Sequence, residues 1–428
     1  MPTPMRRSRA TSGTGFRASK SRLGQRAAER ASWIGRTERN KDLVQDPLDW
    51  APRAGTLMPV NKLLIISNGH GEDSIAAEIV RRLPGGIEVN AYPTLGDGRA
   101  YEGVCPIVGR RRHLPSQGHR LRGSLLRDAL AGFGIGPALR FMRRDAKNYD
   151  AILVVGDLLG VVMCWWAGRR VRIYLDVYKS GYDNAYRRSE LFVLKRSADL
   201  VLTRDPVLAQ QLSSRKINAR FAGNAIMDTV ATGKYDPQWH RRNMHAIAVL
   251  PGSRASLKDN FGVQLEALRR VPGIEGIDVF AVLARPGDAA DLAEGTGLRL
   301  VPSKQEADLG TLTDGRVAIH LSTGSLGAVV AASDIVLGQG GTANLQAIGL
   351  GKPVISFHAE GSTDRRMARN EALAGDSRIF VPRDPEAMAA AVSKLLADPE
   401  DRARRGAIGR ERMGPPGAIA AIIEELGK

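Results

Sequence analysis

A cluster of polar side chains follows an apolar run near residue 70. His70, Glu72 and Asp73 lie in the stretch SNGHGED, which precedes apolar residues at helical spacing. This pattern predicts a strand, a tight turn and a helix, and open α/β sheets bind ligands at such turns. The three side chains are therefore candidates for proton transfer with a bound substrate. A simpler interpretation makes His70 and Asp73 a hydrogen-bonded loop pair, with Asp73 as the helix cap.

A further carboxylate, Asp157, has the same relation to a strand. It follows the apolar run AILVVG and precedes a second apolar segment. Because parallel strands end at one edge of a sheet, Asp157 is expected to face the same cleft as His70 and Asp73. An aspartate stays charged near neutral pH, so Asp157 is a further candidate base.

Two loops in the second half suit a diphosphate. The sequence VLPGSR ends a strand at Leu250 and places Ser253 and Arg254 near the start of a helix. A hydroxyl group, backbone amides and a guanidinium can hold phosphate oxygens, although an ordinary capped turn could have this sequence.

The other loop, GQGGTANLQ, covers residues 338–346. Gly340 and Gly341 allow the backbone to approach a ligand, and a helix beginning at Thr342 would point its amino end at that ligand. Gln346 lies one turn further on, where its amide could reach a ribose or a base. The alternative is a glycine-rich turn without a ligand, but two such loops in one half favour a diphosphate site.

Short β-rich runs alternate with helical patterns from Lys62 onward, which predicts parallel βαβ units. The predicted strands cover residues 62–67, 87–92, 150–155, 171–176, 199–202 and 218–222, then 246–250, 277–283, 316–320, 334–337 and 353–357. We therefore predict an α/β protein with two doubly wound, Rossmann-like domains facing each other across a cleft. The domains cover residues 58–228 and 245–428, with a linker at 229–244 and a last helix that packs back on the first domain.

Composition limits the other possibilities. The chain has 428 residues, 43% of them hydrophobic, and its two cysteines have no metal-ligand spacing, so a cytoplasmic protein without a metal site is expected. Residues 1–57 hold 12 Lys and Arg against 5 Asp and Glu without an apolar period, which predicts a disordered basic extension or a start at Met58. Residues 151–168 are predicted to be a buried strand and helix, because the central Asp157 would cost about 3 kcal/mol in a membrane span.

The basic segment, residues 103–147, carries 10 Lys and Arg against 2 Asp and Glu, interleaved with apolar residues. This pattern predicts contact with an anionic membrane surface. Alternatively, its apolar residues belong to the core and its arginines form a solvated face. Nucleic acid is not expected as a partner, because neither stacking aromatics nor a known binding module accompanies the charge.

These motifs resemble those of lipid-A-disaccharide synthase. LPGSR, followed by GQGGTANLQAIGLGKPVI, is similar to that family's LPGSR and GTA-x-LE helix, and FAGNAIMD, residues 221–228, is similar to its VGHP-x-x-D. Asp157 and the GED of residues 71–73 lie where the family has a strand-ending aspartate and SGD. The chain departs from the family at Gln346, which replaces a ribose-binding glutamate, and at residues 176–190, which replace an aromatic segment. The loop SNGHGED is closer to the glycine-histidine loop of the related peptidoglycan glycosyltransferase. The chain therefore resembles the divergent, lipid-A-disaccharide synthase-related branch.

The resemblance implies a metal-independent GT-B hexosyltransferase that needs no cofactor. It implies a UDP-sugar donor and a lipid or glycolipid acceptor, with a cytoplasmic protein peripherally associated with the inner face of the membrane. The residues implied to line the donor nucleotide are Ser253, Arg254, Gly340, Gly341, Thr342, Asn344 and Gln346. Because Asp157 matches the family's aspartate and stays charged near neutral pH, it is the predicted base, with His70 positioning the acceptor or stabilising the departing phosphate and Asp73 orienting the loop.

Two other functions share this plan. A non-hydrolysing sugar-nucleotide epimerase would need more carboxylates on the second-domain loops. A non-catalytic lipid- or nucleotide-binding protein would keep the basic segment and have no turnover.

Overall fold

A computed structural model of the protein describes residues 60–95, 98–109, 135–183, 185–252, 256–358 and 364–427. The predictions for residues 1–57, for Ser253 and Arg254 and for residues 110–134 of the basic segment lie outside these residues. His70 is described as the first residue of a helix, but its side chain is outside the description.

The first half forms a six-stranded parallel sheet in the order β2-β1-β3-β4-β5-β6. Its strands are β1 (Lys62–Ser67), β2 (Glu88–Pro93), β3 (Ala151–Gly156), β4 (Val171–Asp176), β5 (Ala198–Leu202) and β6 (Ala219–Arg220). The accompanying helices are α1 (His70–Arg82), α2 (Ile135–Arg144), α3 (Leu159–Trp166), α4 (Arg188–Ser197), α5 (Pro206–Ser213) and α6 (Ala225–Asp228). Every residue of β3 is buried, as expected for a central parallel strand covered on both faces.

The second half forms an eight-stranded sheet in the order β14-β13-β12-β7-β8-β11-β10-β9. Its strands are β7 (His245–Leu250), β8 (Ile277–Leu283), β9 (Arg299–Val301), β10 (Asp308–Thr313), β11 (Ala318–Thr323), β12 (Ile335–Gly338), β13 (Val354–Ser356) and β14 (Arg378–Phe380). The helices are α7 (Leu257–Arg270), α8 (Asp288–Thr296), α9 (Leu326–Ala332), α10 (Thr342–Gly349), α11 (Asp364–Ala374), α12 (Pro385–Ala397), α13 (Pro399–Met413) and α14 (Ala418–Leu426). The predicted α/β class with two doubly wound sheets is confirmed.

The last helix, α14, packs on the first half of the molecule. Ile419 and Ile422 share a buried core with Leu63 and Ile79 of the first sheet and its helix α1. Asp228, the last residue of α6, accepts hydrogen bonds from the backbone amides of Gly417 and Ile419 at 2.8 and 3.0 Å. The carboxylate therefore satisfies two amides at the amino end of α14 and holds this helix against α6.

The apolar segment 151–168 contains β3 and the whole of the short helix α3, as predicted, although Trp165 and Trp166 at the end of this helix are exposed. Among the described residues, none of the helices has both the length and the apolar character needed to cross a bilayer.

Candidate functional site

The first candidate surface is the point at which the connections of the first sheet change direction. The chain passes from β1 to β2 on one side, and β3 lies on the other side of β1. The loops that follow β1 and β3 therefore diverge and leave a crevice at the carboxyl ends of these strands. Asn68 and Gly69 form the first loop, and Asp157 and Leu158 form the second.

Asp157 is fixed in this crevice through both its backbone and its side chain. Its backbone amide donates to Asn68 Oδ1 at 3.2 Å, and its Oδ1 accepts from the Leu159 amide at 2.8 Å at the start of α3. A Cβ atom at Gly156 would overlap Asn68 Oδ1, and the φ of Gly156 is 136°, a conformation that favours glycine. The half-buried Asp157 carboxylate is therefore held at the crevice, as the sequence predicted for a candidate base.

Asp73 has a different environment from the predicted one. Its side chain is only 1% exposed, and Oδ1 accepts a hydrogen bond from Ser67 Oγ at 2.5 Å, while Ser67 Oγ lies 2.6 Å from the hydroxyl of Tyr101. Burial and the Asp73 charge both raise the pKa of Tyr101 above its usual range. The cap of α1 is Gly69, with no side-chain hydrogen bond, so Asp73 is not the cap. Asp73 instead ties the β1–α1 turn to the interior, which fits the loop-orienting role and not contact with a substrate.

Glu72 is the third candidate of the SNGHGED loop, and it received no separate role beside Asp157, His70 and Asp73. Its Oε2 occupies the space that a Cβ atom at Gly69 would need, and its Cγ lies 3.3 Å from the Cβ position of Gly156. Glu72 is thus folded back over the amino end of α1, between the loops that carry Asn68 and Asp157. The signal for it was present in SNGHGED, in which glycine precedes the helix and an acidic residue occupies its third position.

The second candidate surface is the corresponding point of the second sheet. Strand β7 leads to β8 on one side, and β12 lies on the other side, with Leu250 in register with Gly338. The Gln339 amide donates to the Leu250 carbonyl at 2.7 Å, so the loops after β7 and β12 run side by side. Asn260 of α7 donates to the Pro251 carbonyl at 3.1 Å and fixes the first loop, which leads toward Ser253 and Arg254.

Gly341 and Thr342 lie at the exposed amino end of α10. A Cβ atom at Gly341 would have no neighbour within 4 Å, so this position is open. Gly340 is half-buried, and a Cβ atom there would lie 3.1 Å from Ala343. The loop therefore exposes backbone and the positive end of a helix, which favours an anionic ligand.

Asn344 and Gln346 do not line this opening. Asn344 is fully buried, and its Nδ2 donates to the Gly338 carbonyl at 3.0 Å. Gln346 is 7% exposed, and its Nε2 donates to the Ile226 carbonyl of α6 at 2.9 Å. The family resemblance implied that both side chains contact the nucleotide, but both are buried inside the protein. The reason is that α10 packs this face against its own strand and against α6. They shape the loop and connect the two halves of the molecule.

The two candidate surfaces face each other. A Cβ atom at Gly71 of α1 would lie 4.0 Å from Thr342 Oγ1 of α10. The amino ends of these helices therefore meet across one cleft, with Asp157 on one side and the glycine loop on the other. Together they can hold an anion and place a carboxylate beside it. In the described part of the chain, no cluster of side chains has the composition of a metal site.

A third loop, residues 177–187 after β4, connects the halves. Asp176 at its base is fully buried, and its Oδ1 accepts from the amides of Tyr178 and Lys179 at 2.9 Å each. Further along the loop, Asp183 Oδ2 lies 3.0 Å from Arg369 Nε of α11. Residues 177–187 are part of the segment that replaces the aromatic segment of the resembled family, and here they form an ion pair with the second half.

Comparison with known proteins gives partial sequence matches. No protein-family model matches the chain. The chain is 28% identical over 196 residues to lipid-A-disaccharide synthase of Pseudomonas savastanoi pv. phaseolicola, covering 44% of this chain and 47% of that protein. It is 29% identical over 178 residues to lipid-A-disaccharide synthase 2 of Legionella pneumophila, covering 40% and 43%. The matched region thus spans about half the length of these curated relatives.

Three solved structures share the fold over most of the chain. Spinosyn rhamnosyltransferase SpnG, complexed with thymidine diphosphate, superposes with a TM-score of 0.53 at 16% identity and covers 86% of this chain and 100% of its own. Acinetobacter baumannii MurG gives 0.51 at 12% identity, covering 85% and 98%. A UDP-N-acetylglucosamine 2-epimerase gives 0.50 at 16% identity, covering 85% and 95%.

The protein therefore has the GT-B arrangement of two Rossmann-like domains, which these glycosyltransferases and this epimerase share. Within this class, its sequence is similar to those of lipid-A-disaccharide synthases over about half their length, which confirms the resemblance noted in its motifs.

Proposed function

We propose that the protein is a glycosyltransferase that moves a sugar from a UDP-sugar to a lipid-linked acceptor. The observation that carries this proposal is the meeting of the two helix amino ends at Gly71 and Thr342, which brings Asp157 and the glycine loop to one cleft. The similarity to lipid-A-disaccharide synthases supports transfer to a lipid-linked sugar.

The donor diphosphate would bind at the glycine loop. Gly341 and Thr342 offer backbone and a hydroxyl group at the amino end of α10, where the helix dipole favours negative charge. Arg254, which follows the adjacent strand β7 in sequence, would add a charge-assisted contact. The developing charge on the leaving diphosphate would be met by these groups, and the proposed reaction uses no metal ion.

Asp157 would act as the general base. Its carboxylate takes the proton of an acceptor hydroxyl, the hydroxyl oxygen forms a bond to the anomeric carbon, and the bond from that carbon to the diphosphate breaks to release UDP. The Leu159 amide, already bonded to Oδ1, holds the carboxylate in place for this step. Asn68 and Asp73 orient the two loops without contacting the reacting atoms.

The lipid-linked acceptor places the proposed reaction at the cytoplasmic face of a membrane. The basic segment, residues 103–147, is part of this proposal, and its residues 135–147 form α2 and the turn that follows. Arg140, Arg143 and Arg144 are exposed there.

Epimerisation is the competing reaction, since an epimerase shares the fold. The loops Pro251–Gly252 and Gln339–Gly341 carry no carboxylate, whereas the deprotonation of a sugar carbon needs acid–base groups beside the donor. This difference favours transfer to a separate acceptor.

A panel of radiolabelled UDP-sugars, incubated with the full chain and total membrane lipid, tests the proposal. Label that moves into the lipid fraction with wild type, and not with Asp157→Asn, is the expected result. Conversion of the UDP-sugar without lipid would indicate an epimerase. Tight UDP binding without any conversion would indicate a non-catalytic binding protein.

A further inference from the structure

Three exposed aromatic side chains lie together on the first half of the molecule. Trp165 and Trp166 end α3 and are 36% and 45% exposed, and Phe192 of α4 is 49% exposed. The ring centroids of Trp165 and Phe192 are 6.2 Å apart in an edge-to-face arrangement. Single exposed apolar residues are ordinary on protein surfaces, but a contiguous group of large aromatics indicates a contact surface.

Basic side chains surround these aromatics. The Arg196 guanidinium lies 4.4 Å from the Phe192 ring centroid, and Arg143 Nη2 of α2 donates to the Trp166 carbonyl at 3.2 Å. Arg140 and Lys195 are also exposed on α2 and α4. The nearby acidic residue Asp199 is paired with Arg170, so it does not neutralise the cluster. The aromatic–basic surface consists of Arg140, Arg143, Trp165, Trp166, Phe192 and Arg196.

We infer that the aromatic–basic surface is the element that binds an anionic lipid membrane. Tryptophan favours the interface between lipid headgroups and acyl chains, and surrounding arginines attract anionic headgroups. We assign this surface to a lipid membrane and not to nucleic acid. The Arg196 guanidinium lies over the Phe192 ring, and the planes of the Phe192 and Trp165 rings are at 88° to each other, so these two rings form no flat platform for stacking bases.

This surface goes beyond the basic segment, since all three of its aromatic residues lie on α3 and α4. Helix α3 begins two residues after Asp157, and its eight residues rise about 12 Å, so the surface belongs to the half that carries the candidate base. The inference deepens the membrane part of the proposed function, but it concerns binding alone and can be tested without turnover.

The test uses the full chain and vesicles of phosphatidylcholine with or without phosphatidylglycerol. Trp165→Ala combined with Trp166→Ala should weaken partitioning onto the anionic vesicles by about tenfold, equal to about 1.4 kcal/mol. Met244→Ala is the matched control, because Met244 is an 84% exposed apolar residue in the second half and should have no effect. Circular dichroism melting verifies that each variant is folded.

A second variant removes charge without touching the aromatic packing. Arg140→Gln combined with Lys195→Gln should reduce binding to the anionic vesicles, and added salt should reduce wild-type binding in the same direction because it screens exposed charges. Lipids with brominated acyl chains should quench the wild-type tryptophan fluorescence and quench the double tryptophan variant much less.

Equal binding by the double tryptophan variant and Met244→Ala would overturn the inference. So would equal binding of the wild type to neutral and anionic vesicles. A dimer in analytical ultracentrifugation that the tryptophan substitutions dissolve, without vesicle binding, would assign the surface to a second copy of the chain. Preferential binding to single-stranded RNA would overturn it as well. Vesicle binding without sugar transfer would keep this inference and reject the proposed reaction.

Discussion

Asp157 is held at the cleft by hydrogen bonds that an asparagine at the same position could also make, so its role as a base can be tested by substitution. The Leu159 amide bonded to Oδ1 would bond equally well to the oxygen of an asparagine. Asp157→Asn should therefore preserve the fold and the affinity for UDP within a few-fold while reducing sugar transfer by about 10²- to 10⁴-fold, because the base is lost. Transfer assays and calorimetric titration with UDP separate the two effects. Near-normal transfer by the variant would assign the base to another group, with His70→Ala the next substitution to assay.

Gly341 gives a test of the donor site. A methyl group at this position meets nothing in the protein, and the φ of −71° suits alanine, so Gly341→Ala should not lower the melting temperature. If a diphosphate binds against this backbone, the methyl group should raise the Kd for UDP by about tenfold, since forced overpacking costs on the order of 1 to 3 kcal/mol. Gly276→Ala is the control, because Gly276 is also open but precedes β8 at the opposite edge of the sheet. Unchanged UDP affinity in Gly341→Ala would place the diphosphate elsewhere.

For single residues, the sequence predicted which residues lie at the ends of strands better than it predicted which of their side chains are buried. Asp157, Gly341 and Thr342 could be placed at strand ends from the apolar runs before them. The buried positions of Asn344 and Gln346 depend on α6, a helix 120 residues earlier than Gln346, which no local pattern reveals. The burial of Asp73 has the same kind of cause, because its partner Ser67 also contacts Tyr101, which comes from a separate short helix.

Among the elements, the loop after β4 should respond to pH. Burial, opposed by hydrogen bonds from Tyr186 and two backbone amides, raises the pKa of Asp176 to about 6 from 3.8. The folded state thus holds this proton more tightly than the unfolded state. The resulting stability is fully present below about pH 4 and is lost as the pH rises through about 6.

Asp176→Asn removes this titration. Between about pH 4 and 6, the free energy of unfolding of the wild type should fall relative to the variant, by at most about 1.4 kcal/mol per pH unit. Urea unfolding of both proteins at several pH values measures the difference, in which the other titrating groups cancel. Parallel curves for the two proteins would mean that Asp176 titrates equally in the folded and unfolded states.

The docking of α14 depends on one carboxylate. Asp228→Ala leaves the Gly417 and Ile419 amides without their partner, and loss of a helix cap costs about 0.5 to 2 kcal/mol. The melting temperature should therefore fall. Asp236→Ala provides a control, because the exposed Asp236 also accepts a hydrogen bond from an amide, that of Gln238, but it caps a helix of only three residues. An equal, small effect of both substitutions would show that α14 is held by its apolar face alone.

The strands that the sequence missed are the two edge strands of the second sheet, β9 and β14, and β10, which lies next to the edge. Strands β9 and β14 have three residues each, too few to give a pattern. Strand β10 alternates buried and half-buried residues and pairs antiparallel with β9 and β11. Its sequence DLGTLT contains a glycine and few apolar residues, so it does not resemble the buried runs by which β1, β3 and β7 were recognised.

For the whole molecule, the sequence could predict two sheets with a cleft between them, but not which residues of the two halves face each other across this cleft. The facing of Gly71 and Thr342 follows from contacts distant in sequence, including Gln346 with α6, Asp228 with α14 and Asp183 with Arg369. Each contact joins the first half to elements of the second, so together they fix how the two crevices face each other.

This arrangement can be tested by a covalent bond across the cleft. A Cβ atom at position 71 would lie 4.0 Å from Thr342 Oγ1, the position that a cysteine sulfur at residue 342 would take. A small movement would bring two cysteines at these positions into disulfide geometry. Mild oxidation should form the bond and block UDP binding by closing the entrance, and reduction should restore binding. The natural Cys105 and Cys164 are half-buried and buried, so each single-cysteine variant controls for their reactivity.

A second control combines Gly71→Cys with Gly276→Cys, which lies at the opposite edge of the second sheet and should remain reduced. Free-thiol titration and non-reducing electrophoresis after proteolysis detect the cross-link. If both pairs resist oxidation equally, then the amino ends of α1 and α10 do not meet in solution. Asp157 and the glycine loop would then not form one site. If only the Gly71 and Thr342 pair cross-links while UDP still binds, the cleft exists but the diphosphate enters from another side.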